Sequence, residues 1–294
     1  MVLIACGQLC STSSLAENAQ KAVRLITRAA AMNAKVLFLP EASDYLAVNA
    51  KHSVEIVRLV QDSPFIQGVQ KTLRELHSQG KSLHVSVGVH EPCVGGDRVK
   101  NTLLWINDQG VIEQRYQKLH LFDISIPNGP ILKESNSVER GNEIIPPFDT
   151  PAGKLGMGIC YDIRFPELAL RLRSLGAQIL TYPSAFTMKT GAAHWHLLAR
   201  ARAIDTQSYV VMAAQAGTHK LESEGNEGPK TARISYGHAL IVDPWGTVVA
   251  ECSDVDVGDE DLCVADIDLV KLEKVRKDMP LWEHRRPDAF GYEV

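Results

Sequence analysis

Short apolar runs alternate with amphipathic stretches along most of the chain. VLIACGQL (2–9) reads as a buried strand, and residues 15–33 then place Ala19, Val23, Ile26 and Ala30 at helical spacing. KVLFLP (35–40) reads as a short buried strand ended by proline, 64–78 as a helix closed by Gly80, and LHVSVGVH (83–90) as an alternating strand. Further on, 155–160, 178–183, 208–215 and 261–268 read as strands, and 166–175 and 192–207 as helices. Pro166 suits a first helical position and Gly176 a helix end.

Two hairpins follow from turn chemistry. NTLLWI and VIEQRYQ flank Asn107-Asp108-Gln109-Gly110, and HALIV and TVVAEC flank Asp243-Pro244-Trp245-Gly246. Buried strands alternating with helices predict an α/β protein, and the hairpins predict mixed rather than purely parallel sheets. The weak likeness of the two hairpins hints at a duplicated sheet. No linker is visible, so residues 1–294 are expected to form a single domain. The polar stretch 219–233 reads either as a solvated loop or as a lid over a pocket.

Composition narrows the function. The 294 residues are 45% hydrophobic and 22% charged, ordinary for a globular protein, and the formal net charge of −4 makes nucleic acid an unexpected partner. No apolar run approaches the ~20 residues of a membrane span, and the apolar start without a basic leader is read as a strand, not a signal peptide. The six cysteines show no metal-ligand spacing, so no metal or other cofactor is expected, and free thiols suggest a reducing, cytoplasmic setting. A mitochondrial form from another transcript would leave no trace here.

Three strand ends carry reactive groups: Glu41 after VLFLP, Lys118 after VIEQRYQ, and Cys160 at the end of LGMGIC. Crevices at the carboxyl ends of such strands are where ligands bind in open α/β sheets. A helix opening at Pro166 is expected to favour a thiolate at Cys160. A carboxylate can take the thiol proton, and an ammonium can hold an oxyanion. The bland alternatives are a core cysteine and a structural ion pair. A competing constellation joins Cys160 to His194, His196 or His238, as in a Cys–His hydrolase.

FLPE (38–41), YQKLHLFD (116–123), GICYDIRFPEL (158–168), TYPSAF (181–186), HWHLLARARAIDTQ (194–207) and YGHALIVDPWGTVVA (236–250) occur in order. On these segments the sequence resembles the nitrilase superfamily of carbon–nitrogen hydrolases. CYDIRFPEL, TYPSAF, the YGH segment and HRRPDAFGY (284–292) narrow the resemblance to its Nit branch. The resemblance implies a four-layer α-β-β-α sandwich. It also implies a homodimer packed through the helices at 166–175 and 192–207. It maps a catalytic triad onto Glu41, Lys118 and Cys160, and a second glutamate onto Glu134 within ESN (134–136).

The implied reaction is hydrolysis of deaminated glutathione to α-ketoglutarate and Cys-Gly through a cysteine thioester, a metabolite repair. The Tyr161 backbone N–H is expected to assist Lys118 at the oxyanion. Arg164 is expected to clamp the α-carboxylate of this α-keto acid amide unless it pairs with Glu167 or Asp162, and Phe186 and Thr190 are expected to line the same pocket. The near alternative is an omega-amidase acting on α-ketoglutaramate. A more distant one is a binding protein that keeps the fold without catalysis, since Nit domains also occur fused to a nucleotide-binding Fhit domain. A thiol redox sensor would need a resolving cysteine beside Cys160, and none is near in sequence.

Overall fold

A computed structural model describes residues 1–125, 131–222, 232–253 and 260–291. The chain begins β1 (Val2–Leu9), α1 (Leu15–Ala31), β2 (Val36–Phe38), α2 (Ala50–Ile56), α3 (Pro64–Ser78), β3 (His84–Pro92), β4 (Val99–Ile106) and β5 (Ile112–Gln117). The middle comprises β6 (Asp123–Ser125), β7 (Ile131–Lys133), β8 (Val138–Glu139), β9 (Phe148–Thr150), β10 (Gly153–Met157), α4 (Pro166–Ser174), β11 (Ile179–Thr181) and α5 (Met188–Thr206). It closes with β12 (Tyr209–Met212), β13 (Ala214–Thr218), β14 (Ile234–Tyr236), β15 (Leu240–Val242), β16 (Val248–Glu251), β17 (Glu260–Ile267), α6 (Leu269–Asp278) and α7 (Pro287–Phe290).

Two large mixed sheets result. The first runs β14-β13-β1-β2-β3-β4-β5, with β17 on β1 and β8 on β4; the second runs β16-β15-β12-β11-β10-β9. Side chains alternate across a strand, and this alternation builds the layers. Ile4, Cys6, Val36 and Phe38 enter a core shared with Leu155, Met157, Ile179 and Val210 of the second sheet. Their neighbours Ala5, Leu9 and Leu37 face the other way, onto Leu25 and Ile26 of α1 and Phe65 and Val69 of α3. The helices α4 and α5 cover the outer side of the second sheet with Leu168, Leu172, Trp195, Ala199 and Ala203. The order is therefore α-β-β-α, with the sheets face to face.

Helix ends follow local chemistry. Ser14, Ser63 and Thr187 each accept a backbone N–H at the start of α1, α3 and α5. The Thr187 cap starts α5 at Met188, four residues before the apolar spacing alone indicates. The two hairpins form as read, β4-β5 in the first sheet and β15-β16 in the second.

The run 208–215 differs from its expectation. It is not one strand but two, for β12 pairs with β11 in the second sheet while β13 pairs with β1 in the first. The chain crosses between sheets at Ala213, buried throughout, so hydrophobicity does not mark the crossing. The crossing places Gln215 behind the end of β2. Its amide N–H groups donate to Ser11 Oγ at 2.7 Å, Glu41 O at 2.9 Å and Ala42 O at 3.2 Å, and its Oε1 accepts from Ser11 N at 3.0 Å.

Replacing Gln215 by leucine strands these buried backbone groups. The expected loss is about 2–4 kcal/mol in chemical denaturation. A loss below about 0.5 kcal/mol, the range of an ordinary surface change, would contradict this fastening role.

Candidate active site

The four acidic, basic and thiol residues singled out in the sequence meet at one point. Glu41 follows β2, Lys118 follows β5, Glu134 opens a single 3-10 turn after β7, and Cys160 opens another after β10. Glu41, Lys118 and Cys160 are all buried, at 6%, 2% and 9% exposure. Lys118 Nζ donates to Glu41 Oε1 at 2.8 Å and to both oxygens of Glu134 at 2.9 and 3.0 Å.

The backbone is shaped around these side chains. Cys160 has φ +46° and Ala42, next to Glu41, has φ +54°, both left-handed conformations unusual for residues with a Cβ. Strain of this kind costs roughly 1–3 kcal/mol per residue and persists where the surroundings enforce it. Around Cys160 the enforcing group is Asp162, fully buried. Its carboxylate accepts from Ile159 N, the Tyr116 hydroxyl and His120 N at 2.8, 2.7 and 3.0 Å, and it meets His120 Nδ1 at 2.7 Å. At Glu41 the backbone comes so close to Gly88 that a Cβ there would lie 2.6 Å from Glu41 Cα.

Asn101, inside β4, donates to Glu41 Oε1 at 2.8 Å and to Glu134 Oε1 at 3.3 Å. Phe122 N donates to Glu134 Oε2 at 2.7 Å, and Ala185 N to Glu41 Oε2 at 3.0 Å. Sequence reasoning missed Asn101 and the role of Asp162. The signal available was a polar residue inside an apolar strand, and an acid two positions after the cysteine.

These contacts set the charges. Burial alone would raise the Glu41 carboxyl, but the Lys118 ammonium, with hydrogen bonds from Lys118 and Asn101 and the Cys160 thiol nearby, holds it below its ordinary value. Burial disfavours the Lys118 charge, yet Glu134, Glu41 and Cys160 together push its pKa well above the ordinary value. Burial, and then the Glu41 charge, push the Cys160 thiol up, against Lys118 and the Ala185 N–H. The expected thiolate stabilisation by the helix at Pro166 is thus corrected. Cys160 begins its own short turn, and desolvation with a carboxylate beside it outweighs the favourable groups. At neutral pH the trio is carboxylate, ammonium and thiol.

The remaining predicted residues fall nearby to different degrees. The Tyr161 N–H donates no hydrogen bond to the described residues. Arg164 pairs with neither Glu167 nor Asp162. Its guanidinium lies 3.2 Å from His194 Nδ1 and stacks 5.4 Å above the Phe186 ring and 5.8 Å above that of Tyr161. Phe186 is buried, whereas Thr190 sits in the first turn of α5 with its hydroxyl 2.9 Å from that of Thr187. Residues 223–231 of the loop read as a lid lie outside the described residues. A cleft of about 380 Å³ opens beside Tyr161 and Phe165, but Glu41, Lys118 and Cys160 do not line it.

The histidines of the competing reading have other partners. His194 meets Arg164, while His196 and His238 each lie 2.8 Å from Glu251 Oε1. His196, His238 and Glu251 are the one set with metal-ligand spacing among the described residues. No described helix is long and apolar enough to cross a membrane.

Comparison with known proteins agrees with the geometry. The carbon-nitrogen hydrolase family model matches residues 3–277. A protein of Schizosaccharomyces pombe described as probable hydrolase nit2 is 47% identical over 291 residues, 99% of each chain. The deaminated glutathione amidase of Mus musculus is 40% identical over 297 residues, 98% of this chain and 84% of that one. Among solved structures, the Caenorhabditis elegans NitFhit protein superposes with a TM-score of 0.85 at 40% identity, covering 98% of this chain and 66% of that longer one. Saccharomyces cerevisiae Nit3, described as a member of branch 10 of the nitrilase superfamily, gives 0.78 at 30% identity, covering 97% and 96%. With family model, relatives and fold in agreement along nearly its whole length, this chain belongs to the carbon–nitrogen hydrolases, in the Nit branch of the nitrilase superfamily.

Proposed function

We propose that the protein is an amidase that hydrolyses deaminated glutathione to α-ketoglutarate and Cys-Gly through a thioester on Cys160, a metabolite repair reaction. The observation that carries this reading is a buried carboxylate, Glu41, hydrogen-bonded to the Lys118 ammonium, with the Cys160 thiol near enough for the two groups to influence each other's titration. Glu41 takes the Cys160 proton as the sulfur attacks the amide carbonyl. Lys118 and the Tyr161 N–H hold the oxyanion, where one donor typically contributes ~3–4 kcal/mol. Glu41 then protonates the leaving amine, and later takes a proton from the water that cleaves the thioester. Glu134 orients Lys118 by receiving two of its hydrogen bonds. Arg164, free of any carboxylate partner among the described residues, clamps the substrate α-carboxylate above Phe186, with Thr190 at the pocket margin. Two chains pack through α4 and α5, where Leu197 and Ile204 of α5 lie exposed.

Cys160→Ala is expected to abolish turnover, and Glu41→Gln to lower kcat by about 10²- to 10⁴-fold. His194→Ala is expected to keep kcat and raise KM through Arg164. An active Glu41→Gln beside a dead His194→Ala would establish the Cys–His mechanism instead.

The pH dependence follows from the same charges. Glu41 must be ionised to act, and its pKa is lowered, so the acid limb of kcat/KM lies below the ordinary carboxylate value. Cys160 and Lys118 are both raised, so the alkaline limb lies above the ordinary thiol value. The profile is expected to be flat from about pH 5.5 to about pH 8. A limb near pH 6.5, where histidine titrates, would contradict the assignment.

A side-by-side kcat/KM on deaminated glutathione and α-ketoglutaramate tests the substrate, with a preference of about tenfold or more for the former expected, a difference of ~1.4 kcal/mol. The reverse preference would make the protein an omega-amidase. Light scattering is expected to give twice the chain mass and, for Leu197→Lys, the mass of one chain. A wild-type monomer would refute the pairing.

A further inference from the structure

His196, His238 and Glu251 lie on three separately anchored elements. His196 is in α5, Glu251 ends β16, and His238 stands just before β15. His238 has φ +59°, a left-handed backbone that follows Gly237 at φ +77°. Its carbonyl accepts from Trp195 Nε1 at 2.7 Å, so the buried neighbour of His196 also holds the backbone of His238. On either side, Gly237 N donates to Gln215 O and Ala239 N to Gln8 Oε1, both at 3.1 Å. Glu251 is fixed opposite Leu240 in the β15-β16 hairpin, and Cys252 N donates to Ala239 O at 2.8 Å.

Both imidazoles converge on one oxygen. His196 Nε2 and His238 Nδ1 each lie 2.8 Å from Glu251 Oε1, and the two rings meet at 68° with centroids 5.6 Å apart. The three ligand atoms lie within 4.8 Å of one another. Tetrahedral zinc, with bonds of about 2.0–2.1 Å, spaces its ligand atoms by roughly 3.3–3.4 Å. Parting each nitrogen from the oxygen by about half an ångström therefore admits the ion, a movement within reach of side-chain torsions. The side chains of His196, His238 and Glu251 are 37%, 18% and 31% exposed, so an ion has a path in from solvent.

As hydrogen bonds alone, partly exposed pairs of this kind contribute little to stability. As a donor set, two imidazoles and one carboxylate match a zinc site that keeps its fourth position for water. We infer that His196, His238 and Glu251 form a binding site for a divalent transition ion of the zinc class. Each imidazole presents the nitrogen that faces Glu251 and keeps its proton on the other ring nitrogen. The bound ion ties α5 to the β15-β16 hairpin. Trp195, next to His196, packs edge-on against Phe186 with ring centroids 5.0 Å apart, so the tie steadies the wall behind that ring. The inference does not depend on the amidase reading, for none of the three residues contacts Glu41, Lys118, Glu134 or Cys160. The sequence expectation of no metal drew on the cysteines. These ligands are 55 and 13 positions apart, a spacing that no local motif announces.

The test titrates zinc chloride into chelator-treated, reduced protein near neutral pH and reads binding by calorimetry. The wild type is expected to take about one ion per chain with a dissociation constant of about 10 μM or tighter. His196→Ala, His238→Asn and Glu251→Gln are each expected to weaken binding by about 100-fold or more. Asparagine is chosen at position 238 because it tolerates the left-handed backbone. Free zinc at about 100 times the dissociation constant is expected to raise the wild-type Tm by about 5 °C and to leave that of each variant in place. Cobalt in place of zinc is expected to show d–d bands without sulfur-to-cobalt charge transfer, which separates this site from the six free thiols. No zinc binding by the wild type, equal affinity in the three variants, or a sulfur charge-transfer band would overturn the inference. Half an ion per chain would place the ligands on two chains and refute a site built within one. The wild-type titration and the cobalt spectrum decide the matter even where a variant fails to fold.

Discussion

The Lys118 ammonium, almost wholly buried and shared between Glu41 and Glu134, is the interaction on which the site depends. Removing one such ion from water costs several kcal/mol, and only close, well-directed hydrogen bonds offset that. Here the ammonium directs its donors to three carboxylate oxygens at 2.8 to 3.0 Å. Two carboxylates and one ammonium leave one net negative charge among the three. Burial, with the Glu41 charge beside it, keeps the neighbouring thiol protonated, while the Lys118 ammonium keeps Glu41 ionised. The proton acceptor is charged before substrate arrives, and the nucleophile is neutral until attack begins.

Such a cluster needs its backbone fixed at each member, and the fold supplies this from several directions. The left-handed turn after β2 is fastened by Gln215, which arrives only because the chain crosses from β12 to β13. The left-handed residue at Cys160 is held by the four contacts to Asp162. Gly88 allows the strand beside Glu41 to approach at a distance no side chain would permit. The strain at the two turns is therefore offset by buried hydrogen bonds that lie outside the reacting atoms.

The parts visible in the sequence are those whose signals are local. Strands β1, β3 and β17 and helices α1 and α3 announce themselves by periodicity and capping, and Glu41, Lys118 and Cys160 by charge or thiol at the ends of apolar runs. Glu134 was reachable only through resemblance, because a glutamate in a polar loop looks solvated. Asn101 and Gln215 sit within strands, where a lone polar residue gives no sign of its partner 60 or 174 positions away. The division of 208–215 between two sheets was likewise invisible, since a strand buried on both faces carries the same residues whichever neighbour it joins.

The charge state of Glu41 is the claim from which the rest follows. Its carboxyl-carbon chemical shift, followed through a pH titration of the Cys160→Ala protein with and without Lys118→Met, measures that state directly. The account predicts titration below the ordinary carboxylate range when Lys118 is present, and above it when Lys118 is replaced and burial acts alone. A Glu41 that is already protonated near neutral pH with Lys118 in place would contradict it.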